Sequence, residues 1–136
     1  MRFGRSAVRV LCAAALSLTA ACSLAARDEA PPRVAEEDLP GHWQGSCGAT
    51  IDFATGGTYE FGGFPVEGEP GGEPQRISGK GTWILVDTAD GGAPREMQLE
   101  GEREFYTLAL VKDGDSFKLH QWVGDPDDGN DCTYRR

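Results

Sequence analysis

Basic residues are scarce in this chain. Over 136 residues it carries 13 Lys+Arg against 22 Asp+Glu, a formal charge of −9. A nucleic-acid binder needs a cationic face to neutralise phosphates, so that class of partner is excluded. Histidine is scarcer still, with only His42 and His120. No stretch forms a phosphate-cradling glycine loop or a tight zinc knuckle. No serine sits in the Gly-x-Ser-x-Gly turn that exposes a nucleophile. No apolar run reaches the ~20 residues of a membrane-spanning helix, and no segment keeps a helical period for ten residues or more. Glycine is plentiful instead, at 19 residues, and it separates short stretches of alternating apolar and polar residues.

The N-terminus has a different make-up. Met1 to Arg9 holds Arg2, Arg5 and Arg9 and no acid, and an apolar run from Val10 ends at Cys22. A basic start, a short apolar stretch and small residues before a cut make a secretory signal. Leu18-Thr19-Ala20-Ala21-Cys22 resembles a bacterial lipobox, with Thr19 where that pattern has Leu or Val. The resemblance implies that residues 1–21 are removed as a signal peptide. Cys22 then becomes the first residue and carries diacylglycerol, whose two acyl chains suffice for stable anchoring. The expected place is the outer face of the cell membrane. The alternative is an ordinary cut after Ala25 or Ala26, which would release a soluble secreted protein. Losing the signal removes three arginines and no acid, so the exported part is more acidic still. An anionic membrane surface would hold it off; lipid and stalk would retain it.

Residues 22–39, rich in Ala, Pro, Glu and Asp, read as a flexible tether with too little apolar surface to offset its ordering entropy. A short helix over Arg33–Leu39 has nothing obvious to pack on. The folded domain is expected over 40–136. Cys12 leaves with the signal and Cys22 takes the lipid. Cys47 and Cys132 remain, and an oxidising compartment closes such a pair into a disulfide. A metal pair would want a neighbouring histidine or a third cysteine.

From Pro40 the alternation predicts strands at about His42–Cys47, Ala49–Ala54, Thr58–Gly62, Ile77–Thr88, Arg95–Gly101, Phe105–Lys112, Ser116–Val123 and Cys132–Arg136. Gly-, Pro- or Asp-rich breaks separate them, the longest running from Gly62 to Gln75. Short connections make neighbours antiparallel. The fold class is therefore all-β, an antiparallel meander forming a small barrel or a tight sandwich. Ile51 and Phe53, Tyr59 and Phe61, Trp83 and Leu85, Met97 and Leu99, Tyr106 with Leu108 and Leu110, and Phe117 and Leu119 supply the inward face. A Cys47–Cys132 bond would tie the first strand to the last.

Gly41-His42-Trp43 resembles the Gly-x-Trp signature of lipocalin-like (calycin) barrels. That likeness implies that Trp43 closes one barrel end under Arg135 or Arg136, and it carries the alternative reading of a small apolar-ligand carrier. Leu39-Pro-Gly-His-Trp43, Gly79-Lys-Gly-Thr-Trp83, Gly124-Asp-Pro-Asp127 and Tyr134-Arg-Arg136 together look like uncharacterised small secreted lipoproteins of high-GC Gram-positive bacteria. This supports export and an all-β fold and transfers no catalytic residue.

Candidate chemistry is thin. Asp125, Asp127, Asp128 and Asp131 offer the hard oxygen ligands of Ca²⁺, but an EF-hand register and its closing glutamate are missing. Glu96, Glu100, Glu102 and Glu104 could pair carboxylates for glycoside hydrolysis, though strand positions make them a soluble outer face. His120 and Trp122 lie opposite Phe117 and Leu119, so they point outward and, with Trp43, are the candidate contacts for a ligand or partner. The expectation is a non-enzymatic, monomeric binding module without a cofactor, its target a protein or small molecule. The hydrolase is the least favoured alternative.

Overall fold

The structure, a computed structural model, describes residues 30–87 and 91–136. The expected signal segment, residues 1–21, and Cys22 lie outside the described residues. Eight strands follow the alternation: β1 Gly41–Gly45, β2 Thr50–Ala54, β3 Thr58–Val66, β4 Gln75–Val86, β5 Glu96–Glu100, β6 Phe105–Asp113, β7 Ser116–Trp122 and β8 Asp131–Arg135. Each is antiparallel to the next, and β8 returns to β1 to close a barrel. Of barrel and sandwich, the chain forms the barrel. Eight strands enclose a space just wide enough for side chains to fill.

The filling follows from the period-two rule for strands. In β2, Ile51 and Phe53 are buried and Asp52 is exposed. Met97, Leu99, Leu108 and Leu119 expose no surface, and burying each contributes about 1.5–3 kcal/mol. Leu85, Tyr106 and Phe117 are half-buried and pack against this core. Trp43 lies 5.5 Å from Phe117 and 6.3 Å from Phe53, so rings fill one end of the barrel.

The β1–β8 seam is short, with only Gln44↔Arg135 and Gly45↔Tyr134 in register. Other bonds reinforce it. Cys47 and Cys132 are joined by a disulfide, their Cα atoms 5.3 Å apart. Ser46 N–H donates to the Thr133 carbonyl at 2.8 Å, and Thr133 N–H donates to Ser46 Oγ at 3.0 Å. Gly45 is required here: a Cβ would lie 2.7 Å from Cys132 Sγ and 2.9 Å from the Tyr134 ring.

Two boundaries differ from expectation. Residues 34–39 belong to the barrel instead of the tether. Leu39 is fully buried and Val34 nearly so, and both join the core. Leu39 also accepts the Trp43 indole N–H at 2.9 Å, and Glu36–Asp38 makes one 3-10 turn. A composition poor in apolar residues hid the two that matter. The break expected from Gly62 starts later, because β3 runs on to Val66. A bulge between Phe61 and Phe64 shifts the register without ending the ladder, and Gly63 takes a left-handed φ of 61° there.

That bulge positions the candidate site. Beyond it, β3 pairs only with β4, as Phe64↔Ile77, Pro65↔Arg76 and Val66↔Gln75. This two-stranded arm lies across the barrel end that holds the disulfide. Phe64 is fully buried, 4.3 Å from Phe61 and 5.1 Å from Tyr106. The arm is tied to the opposite wall: Gln121 Nε2 donates to the Pro65 carbonyl at 2.7 Å, and Gln121 Oε1 accepts from Tyr134 Oη at 2.7 Å.

Candidate functional site

The two sides of the barrel wall differ in what they present outward. All four large hydrophobic side chains that are exposed among the described residues lie on β4, β6 and β7: Ile84, Phe105, Val111 and Trp122. Phe105 is 70% exposed, Ile84 56% and Trp122 53%. Ile84 and Phe105 line one cleft, and Trp122 lines another on the same side of the barrel. Ile84 pairs with Gln98 on β5, and Gln98 pairs with Thr107 on β6. Ala109 pairs with His120, and Trp122 lies two residues beyond His120 on β7, paired with Asp131 on β8. The outward positions of β1, β2 and β3 carry no large exposed hydrophobic side chain and include His42, Asp52 and Glu60, and His42 Nδ1 lies 2.6 Å from Asp52 Oδ1.

A cleft of about 460 Å³ lies on the apolar side, between Ile84 and Phe105, with Gln98 and Glu100 in its lining. Two more lie above it, where β5 has ended and β4 continues. One, of about 470 Å³, is lined by Phe61, Ile77, Lys80, Arg103, Glu104 and Tyr106 among others. The other, of about 460 Å³, runs from Ile77 and Tyr106 to Trp122 and Gly124.

The expected site residues separate into groups. Trp122 and His120 come together on the outer face, their rings edge to face at 4.4 Å. His120 Nδ1 lies 3.2 Å from Thr133 Oγ1, and Nε2 lies 3.6 Å from Asp131, too far for a hydrogen bond. Trp43 is not available for contact as expected, because it is 1% exposed and packs in the closed barrel end. Arg136 lies over its ring at 5.3 Å, the contact expected of Arg135 or Arg136.

The acidic loop makes local contacts of its own. Asp125 Oδ1 accepts the Asp127 N–H at 2.9 Å and caps the short Pro126–Asp128 turn, while Asp131 lies beside His120. Among the described residues no three His, Cys, Asp or Glu converge as metal ligands would. In the acid row, Glu96 and Glu100 are exposed on β5, and Glu102 and Glu104 lie in the following turn. Glu104 accepts the Tyr106 hydroxyl at 2.7 Å. Burial and this carboxylate push the Tyr106 hydroxyl up to about 12. Burial also raises Tyr59 and Tyr134.

Ile84 and Phe105 were not among the expected contacts. The signal was available: Ile84 stands between inward Trp83 and Leu85, and Phe105 precedes inward Tyr106. Compared with protein-family models, with curated proteins and with solved structures, the chain has no match.

Proposed function

We propose that this barrel is a non-enzymatic binding module, held outside the cytoplasm by a lipid on Cys22, and that it engages a protein partner through the outer face of β4–β7. The one-sided placement of Ile84, Phe105 and Trp122 carries the reading. Large apolar groups gathered on one exposed surface mark contact sites, and buried aromatic anchors dominate binding energy. The carrier reading has less support, because rings occupy the interior that an apolar ligand would need.

A photoreactive side chain at position 122, in the producing cell, should crosslink to a discrete partner. The same group at Glu60, on the polar side, should not. Equal crosslinking from both positions, or none from either, would overturn the proposal. Mass spectrometry of the mature protein tests the anchor: a diacylated Cys22 supports it, and a free N-terminus at Ala26 or Arg27 refutes it.

A further inference from the structure

The clefts above β5 follow an unfinished strand edge. Trp83 N–H donates to the Gly57 carbonyl on the β3 side. Backbone groups alternate sides along a strand, so those of Arg76, Ser78 and Lys80 face the β5 side. However, β5 ends at Glu100, whose partner is Thr82. Among the described residues no strand pairs with that edge from Gln75 to Gly81. Three N–H donors and three C=O acceptors therefore stand in a row. Natural proteins usually cover or blunt such an edge. Here the Arg76 guanidinium is turned back to the Gly63 carbonyl at 3.1 Å and does not guard it.

Beside the edge runs a groove. The clefts of about 470 and 460 Å³ share Ile77, Glu104 and Tyr106, so they form one channel along β4. Ile77 and Tyr106 are half-buried and make an apolar floor. Arg76–Lys80 spans about 16 Å at strand rise, room for five or six extended residues. Charge decides what kind. Glu67, Glu102 and Glu104 line the channel against Lys80 and Arg103, within a chain of net charge −9. A basic occupant is attracted, and a second copy of this acidic chain is repelled.

We propose that the free edge of β4 takes an added β-strand from an extended, basic segment of the partner, with alternate apolar side chains set on Ile77 and Tyr106. Main-chain hydrogen bonds to Arg76, Ser78 and Lys80 supply the attachment, and the floor selects every second side chain. This rests on the reading of the barrel as a binding module and names its partner's chemistry.

Three acetylated, amidated hexapeptides test it: alternating lysine and valine, alternating glutamate and valine, and the lysine form methylated on every backbone nitrogen. The lysine peptide should slow amide exchange at Ser78 and Lys80 at least tenfold. The glutamate peptide should bind at least tenfold more weakly, and the methylated one should give no protection. Ser78→Pro, which deletes one edge donor, should weaken the lysine peptide at least tenfold. The methylated peptide makes the same point without altering the fold. Equal binding of the methylated peptide, or no protection of Ser78 and Lys80, overturns strand addition. Protection that rises with protein concentration alone overturns it too, in favour of a second copy. Crosslinking from position 122 without peptide protection would leave the binding module standing and remove only the added strand.

Discussion

Two seams of this barrel are closed in opposite ways. Between β1 and β8 the ladder has two register pairs, yet the join is dense: a disulfide, a reciprocal Ser46–Thr133 pair of hydrogen bonds, and Arg136 over Trp43. Between β4 and β5 the ladder has five pairs, after which β5 stops and no strand among the described residues pairs with the rest of β4. Ladder length alone thus does not measure closure. Where the ladder is short, covalent and side-chain bonds complete it. Where it stops without them, backbone groups are left to another strand.

The largest expected effect comes from removing the staple. The bond closes a loop of 85 positions, so Cys47→Ala with Cys132→Ala should cost about 4–5 kcal/mol in the chain-entropy picture. Urea unfolding would measure it. Amide exchange at Gln44 and Gly45 should accelerate before that of β5, and uniform acceleration would deny the seam its special dependence. Next comes the tie that holds the arm. Gln121→Leu leaves the buried Pro65 carbonyl without its donor and Tyr134 Oη without its acceptor, a loss of about 1–3 kcal/mol per orphaned group. Protection should fall along β3 and β4 beyond the bulge, with the β1–β8 seam unchanged.

A weaker effect appears in alkali. All three tyrosines of the chain have hydroxyls raised above 10 by burial first. The unfolded chain therefore ionises at lower pH than the folded one, so stability is full below pH 10 and is lost as pH rises towards 12 and beyond. Ultraviolet titration of the native protein should show no tyrosine ionising normally at pH 10. One normal tyrosine would mean that the Phe64–Tyr106 end is open to water. The smallest effect is at Asp113, partly exposed and held below its ordinary value first by the hydrogen bond from Arg135 at 2.9 Å. Its stabilisation is present above the unfolded value of 3.8 and fades as pH falls below it. Asp113→Asn should abolish that slope, and added salt should weaken it.

The strands and their inward faces were legible because alternation is local: each residue between two buried neighbours must face out. The Cys47–Cys132 pair was legible by elimination, since the other two cysteines fall in the expected signal and at its end. What escaped was non-local. Gly62-Gly63 reads as a break in any window, and only pairing with Gly79 and Ile77 on either side makes it a bend. Leu39 looks like a lone apolar residue in an acidic stretch until the Trp43 indole bonds to its carbonyl. Gln121 breaks the inward apolar pattern of β7, and its reason lies on β3 and β8. The open edge of β4 depends on where β5 ends, a difference in strand lengths that no single segment carries.

The disulfide has one more consequence, for the outcome of proteolysis. Cys47 and Cys132 bracket every turn from β2 to β7. A single cut anywhere between them, in the Glu67–Pro74 loop or in the stretch between β4 and β5, yields two pieces that stay covalently joined. Such a nicked chain keeps both halves of the barrel in one molecule, and only reduction of the bond would let the fragments part.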